Sequence, residues 1–504
     1  MKNTVKLFLI AVSVVIMSSC SDYLDTKQFT SSTSDIAISS YSEAFAALVG
    51  MYDGLQGSSS RNTYYAARMI FYGDVRGDDM QASGTGMRTS PCYEMRYNDD
   101  NAPIVAWDIP YNVILRANDL IKALDAGKVT DASEEEIGEL RAQALVTRAL
   151  CHFDLVRIYG KPFPMDNGSS FGVPIVLEPL DKFATPSRNS VAEVYNQVIK
   201  DLKDAIDSEF LNTGKDVGFF NEWAAKALLC RVYLYKEANQ EALSLAKDII
   251  ENSPYSLWTN AQYGVSGTAG VWARASIPAN DEVIFELINT DTSDWGDREG
   301  IGYLMSEAGY ADMVVTQMFS DLLNEDTDDV RHLIVQASTA AANITKFETN
   351  RVWCNKFRGK TGGQIPIANL PILRLSEVYL NGAEAAVKLS GANLDIAAEY
   401  VETIAKRANP ATTESITSTN ITLDRVLKER RKELVGEGHR FFDALRNNLT
   451  ITRYTDEAAK GWHYTITEEK SRQFDRTYYR TILPIPIGEM NANPALKDQQ
   501  NPGY

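Results

Sequence analysis

The chain is short of cations, of cysteine and of histidine, and it has no apolar run long enough to cross a bilayer. Lysine and arginine number 50 against 67 acidic residues, a net charge of −17. Nucleic acid needs clusters of Lys and Arg to face its phosphates, so this acidity excludes it as a partner and speaks against polyanionic ligands. The longest apolar stretch, residues 7–17, holds 11 residues, whereas a spanning helix needs roughly 20. The five cysteines show no paired spacing. Cys151 and Cys230 fall inside helical patterns, where buried thiols are expected rather than bridge partners. The four histidines, His152, His332, His439 and His463, are scattered. Neither an HExxH pair nor a Walker-type glycine loop occurs, so no metal and no cofactor is expected.

What the N-terminus does contain is a short export signal. Lys2 and Lys6 precede the apolar run, and small residues follow it. That layout is a secretory h-region of about 7–15 residues with its cleavage site. Met17-Ser18-Ser19-Cys20 resembles a bacterial lipobox, which makes residues 1–19 a lipoprotein signal peptide and Cys20 the lipidated first residue of the mature chain. The remaining 485 residues, 20–504, are ample for a sizeable core, in one large or two to three ordinary domains.

Most of the body reads as paired helices. Across residues 135–159, Ile137, Leu140, Ala144, Cys151, Leu155 and Ile158 make one apolar stripe, and Leu145, Ala149, Phe153 and Val156 make another. Two stripes predict a helix packed between neighbours, with Gly160 and Pro162 ending it. Residues 221–254 match part of the 34-residue tetratricopeptide pattern through Leu229, Cys230, Tyr233, Ala242 and Pro254. Ala398 and Pro410 repeat the spacing of Ala242 and Pro254. Helical elements are therefore expected at about 41–56, 111–160, 190–254 and 371–446. Long irregular stretches interrupt them at about 73–110 and 255–310. Loops of that length are functional or disordered, and the aromatic content favours function. The region 460–504, rich in proline, is expected to be extended and packed.

Eight stretches in order then resemble one family: "CSDYLD", "ELRAQALVTRALCHFDLVRIYGKPFP", "SVAEVYNQVIKDLKDAI", "AAKALLCRVYLY", "ILRLSEVYLNGAEA", "VLKERRKELVGEGHRFFDALR", "LPIPIGEMNANPAL" and the terminal "QNPGY". The chain is similar to the SusD/RagB family of nutrient-binding outer-membrane lipoproteins. The resemblance implies a mainly α fold, with about four tetratricopeptide-like helix pairs carrying long irregular ligand-bearing loops. It also implies binding without catalysis, an oligosaccharide ligand and a SusC-like TonB-dependent transporter as partner. The expected location is the outer membrane, lipid-anchored and facing the exterior.

A glycan offers apolar C–H faces and rings of hydroxyls, so its site needs aromatic platforms beside planar polar groups. In the first irregular stretch Arg76, Asp78, Asp79 and Tyr93 are the candidates, with Arg88 and Asn98 of the same types nearby. In the second they are Trp272, Trp295 and Tyr303, with Asp294, Asp297 and Arg298 around Trp295. The charge-rich run Glu429, Arg430, Arg431, Glu433, Glu437, His439, Arg440, Asp443 and Arg446 suits ion pairs locking one helix to its neighbours, Glu433 and Glu437 sharing a face. Asn324, Asp326 and Asp328 alternate like the start of a calcium loop, but the turn glycine and the final glutamate are missing. Three rivals remain: a peptide or glycopeptide ligand on the same architecture, an all-α glycoside hydrolase, and a purely structural scaffold using its helical repeats for protein contacts alone.

Overall fold

A computed structural model describes residues 38–57, 63–181, 183–264, 270–274, 281–289, 299–337, 351–357, 359 and 368–504. The expected signal peptide and Cys20 lie outside the described residues. Ten helices carry the body: α1 (Tyr41–Gln56), α2 (Val105–Asp125), α3 (Glu134–Tyr159), α4 (Val191–Asp207), α5 (Glu222–Tyr235), α6 (Asn239–Asn252), α7 (Leu375–Leu389), α8 (Asn393–Ala408), α9 (Leu423–Leu434) and α10 (Arg440–Arg446). Among the described residues, no helix is long and apolar enough to cross a membrane.

Local chemistry starts several of these helices. Ser40, Ser133 and Ser190 each accept the backbone N–H of a glutamate three residues on, and Glu43, Glu136 and Glu193 reach back to the cap. These capping boxes satisfy two of the otherwise unpaired amides at each helix start. Each helix then packs on the next, from α1 on α2 through to α5 on α6. This succession is the tetratricopeptide-like architecture. The two stripes of α3 find their two neighbours, α2 and α4, and nearly every residue from Leu140 to Tyr159 is buried. Gly160 ends α3 for a reason of space rather than of handedness. Its backbone is extended, with φ −103°, and a Cβ there would meet the Val156 carbonyl at 2.8 Å.

The stack is interrupted once. Helix α6 packs directly against α7, although more than a hundred residues separate them in sequence. Strand pairing closes this excursion: β2 (Val283–Leu287) runs antiparallel to β6 (Leu370–Arg374), from Val283 opposite Arg374 to Leu287 opposite Leu370. β1 (Met80–Ala82) pairs with β3 (Met313–Val315), and β4 (Val335–Ala337) with β5 (Val352–Cys354). After α10, β7 (Ile451–Thr452) and β8 (Gln473–Phe474) form a last antiparallel pair. The terminal segment then returns to α3, where Asn501 donates its amide to the Tyr159 and Leu483 carbonyls.

The charge-rich run does lock helices together, but not as one helix. α9 ends at Leu434, and the chain turns through Gly436 and Gly438, at φ +81° and +84°, before α10 begins. Glu433 and Glu437 therefore do not share a helix face. Instead Glu433 receives Arg407 at 2.7 Å and Arg374 at 3.1 Å, while Glu437 receives Arg374 at 2.7 Å. Glu429 receives Arg331 at 2.8 Å. These buried charges are all paired, as charges inside a protein must be; the Arg331 and Arg374 pairs tie the excursion to α9 and the turn after it, and the Arg407 pair ties α8 to α9.

Candidate functional site

The antiparallel pair β1–β3 brings the two long irregular stretches side by side. Residues 83–90 leave one strand, and residues 299–312 lead into the other. The Asp312 carbonyl joins them by accepting the Ser83 N–H and the Thr89 hydroxyl, both at 2.9 Å. Asp312 itself follows a tight turn. Gly309 allows that turn, because a Cβ there would fall 2.1 Å from the Tyr303 carbonyl. The Tyr310 N–H can then donate to the Tyr303 carbonyl at 3.0 Å. Ala311 adopts a left-handed φ of 55°, a conformation that costs a non-glycine residue about 1–3 kcal/mol and tends to occur at working sites.

This turn builds a corner of two rings and one planar cation. Tyr303 and Tyr310 meet edge to face, with centroids 4.8 Å apart at 86°, and both are half-buried. The Arg88 guanidinium lies 3.7 Å over the Tyr310 ring. Its Nε donates to both Glu299 oxygens, at 3.0 and 2.9 Å, and its Nη1 stands 3.8 Å from the Asp312 carboxylate. Burial pushes the Asp312 carboxyl up to about 6, with the Arg88 charge opposing the rise. An aromatic face beside an oriented guanidinium offers a sugar both an apolar platform and a planar hydrogen-bonding group, with the buried Asp312 carboxylate behind the cation.

Four of the residues expected to meet ligand are placed elsewhere. Arg76 is buried, donates to the Arg480 and Thr481 carbonyls at 3.1 and 2.6 Å, and lies 4.0 Å over the Phe441 ring. Asp78 takes both Arg440 donors, at 2.6 and 2.9 Å, and Asp79 takes Arg431. Tyr93 is fully buried, hydrogen-bonded to His463 and covered by Arg453 at 4.3 Å. The expectation that these four face a ligand is corrected: all four side chains are buried inside the body, with the Asp78, Asp79 and Tyr93 polar groups paired there. Trp272 is likewise enclosed, edge-on to Trp258 at 5.1 Å and to Tyr263 at 5.6 Å. Tyr303 is the candidate that reaches the corner, and Arg88, noted beside the first group, joins it. Trp295, with Asp294, Asp297 and Arg298, lies outside the described residues.

Sequence reasoning missed Tyr310, Glu299 and Asp312. The signal available was the Gly309-Tyr310 pair, a turn that sets an aromatic ring out of any helical repeat. The Asp326 carboxylate accepts the Asn409 amide, and Asp329 accepts the Arg331 guanidinium.

Comparison with known proteins bears on the chain as a whole. A family model described as the SusD family matches residues 282–504, and a second, described as starch-binding associating with outer membrane, matches residues 22–234. A crystal structure of a putative sugar binding protein from Bacteroides vulgatus is 38% identical, covers 93% of this chain and 99% of its own, and superposes with a TM-score of 0.82. A SusD superfamily protein from Bacteroides thetaiotaomicron is 36% identical over 92% of this chain and 100% of its own, with a TM-score of 0.83. A SusD-like protein of Bacteroides ovatus is 24% identical, with 87% of this chain and 81% of that protein aligned.

Proposed function

The chain belongs to the SusD family of carbohydrate-binding proteins associated with the outer membrane, and on that premise we propose that it captures an oligosaccharide at the cell surface without cleaving it. The corner of Tyr303, Tyr310 and Arg88 is the observation that carries this reading. It presents rings and a planar cation where residues 83–90 and 299–312 meet. Arg88 is held by Glu299 and faces Asp312, so the two carboxylates serve to orient a cation. Trp295, four residues before Glu299 in sequence, is proposed as a further platform on its sequence context.

Delivery is proposed on the same premise. Cys20 is proposed as the lipidated residue, each buried CH₂ of its acyl chains contributing about 0.8 kcal/mol to anchoring. The partner is proposed to be a SusC-like TonB-dependent transporter that receives the bound sugar. Loss of membrane association in Cys20→Ala and co-purification of the transporter with the unmodified protein test these two points.

The binding claim is tested by calorimetry of the full chain carrying Cys20→Ala. The titrants are neutral hexasaccharides of α-glucan, β-glucan, xylan and mannan type. Tyr310→Ala is expected to weaken the best ligand about tenfold, equivalent to about 1.4 kcal/mol. Unchanged affinity in both Tyr303→Ala and Tyr310→Ala overturns the site. Release of reducing sugar from any of these glycans overturns the non-catalytic reading.

A further inference from the structure

The C-terminal segment carries a groove that the Tyr303–Tyr310 corner does not use. It lies alongside the β7–β8 pair and the single helical turns Glu469–Ser471 and Tyr479–Thr481. Its free volume is about 850 Å³, and none of its lining residues belongs to the first site. Ligand sites fall at roughly 300–1,000 Å³, so there is room here for several sugar rings. We infer that this groove is a second carbohydrate-binding site, built on Tyr478 and Tyr479, for a neutral oligosaccharide.

Rigid aromatic rings are the first support. Tyr479 is 36% exposed, and Tyr478 is half-buried beside it, their centroids 5.4 Å apart at 76°. Tyr478 leans on Phe474 at 5.9 Å, and Tyr479 on Tyr504 at 5.1 Å. The chain end packs behind Tyr479 so closely that a Cβ on Gly503 would come within 2.5 Å of its ring. The Tyr479 hydroxyl also accepts the Arg480 Nε–H at 2.8 Å. Rings held in place lose little freedom when a sugar stacks on them, which is where preorganised sites gain affinity.

Planar polar groups and charge are the second support. The Asp475 carboxylate is fixed by the Thr477 N–H and hydroxyl, at 2.8 and 2.6 Å. Gln473 is exposed beside them, its amide nitrogen 3.0 Å from the Thr452 hydroxyl. Glu468, Glu469 and Asp475 outnumber Lys470 and Arg472 along the lining. With Arg480 also 3.6 Å from Glu468, the groove carries no excess of cations to attract uronate or sulfate groups, and neutral sugars are the class that fits. The choice of sugar as ligand rests on the proposed function, but the location does not.

Hydrogen exchange of the full chain in detergent, read peptide by peptide, tests the inference. The probes are the same four neutral hexasaccharides together with a hexagalacturonate. At least one neutral probe is expected to slow exchange across residues 468–480 about threefold or more. Gln473→Ala, which alters one exposed side chain, and Tyr479→Ala should each reduce that protection while leaving any protection at 83–90 and 299–312 unchanged. Protection confined to 83–90 and 299–312 overturns the second site and leaves the first. Protection confined to 468–480 supports the second and overturns the first. Protection at neither overturns both. Protection at 468–480 by the hexagalacturonate alone, or undiminished in Tyr479→Ala, overturns the ligand class or the platform assigned here.

Discussion

Arg231 on α5 and Glu377 on α7 stand 146 positions apart and share a two-pronged ion pair of 2.7 and 2.6 Å, buried on both sides. The pair clamps the helical stack across the point where the excursion leaves it. The Arg231 charge beside Glu377 holds that carboxyl down at about 2, against the burial that would raise it.

Removing one partner strands the other inside the protein. Glu377→Ala should therefore lower the unfolding free energy by about 3–5 kcal/mol, whereas Arg231→Met with Glu377→Leu should recover most of that loss. Urea titration followed by circular dichroism checks both.

Acid should destabilise the fold in two stages. Burial holds His152 and His463 down at about 3 and His439 at about 4, whereas unfolded imidazoles take up protons near pH 6.5. Between these values the unfolded chain holds more protons, so stability falls as pH falls. Glu377 adds stabilisation that is complete above about pH 4.5 and is lost as pH falls toward 2. Tm measured from pH 8 to 3 should begin to fall near 6.5. His152→Gln should flatten that slope by up to about 1.4 kcal/mol per pH unit.

Glycan binding at the corner should weaken through a pH of about 6. Protonating Asp312 removes a charge facing Arg88 at 3.8 Å, with Glu299 left as the other carboxylate on that guanidinium. Calorimetry from pH 7.5 to 5 should show the loss, and Asp312→Asn should bind weakly with no such dependence. An identical profile in the variant would remove Asp312 from the account.

The thiols should be inert in the folded protein. Cys92, Cys151, Cys230 and Cys354 are free and buried. Burial pushes Cys92 and Cys230 up to about 12 and Cys354 to about 11. With Cys20 replaced, a disulfide reagent at pH 8 should titrate no thiol in the native state and all four in guanidinium.

Gly73 should tolerate no side chain. A Cβ there would lie 1.8 Å from the Gly438 carbonyl, beside the 2.8 Å hydrogen bond from the Gly438 N–H to Asp74. Gly73→Ala should destabilise by at least about 3 kcal/mol, at the upper end of overpacking effects. A denaturation midpoint equal to that of the parent protein would refute the contact.

The sequence by itself determined the helical body. Serine–glutamate capping boxes act within four residues, and the double stripe of α3 states that two neighbours are needed, because both are local patterns with the period of a helix. It also placed the family, through motifs strung in order. It did not decide which polar residues of the first irregular stretch face outward. Arg76, Asp78, Asp79 and Tyr93 have the composition of a sugar site, yet their partners, Thr481, Arg440, Arg431 and His463, lie more than 350 positions away. Only the tertiary structure sets those pairs, because a buried charge must find its opposite wherever the chain brings one. The same holds for the corner itself. Arg88 and Tyr310 come together because β1 pairs with β3, and no local pattern encodes a pairing between strands so far apart.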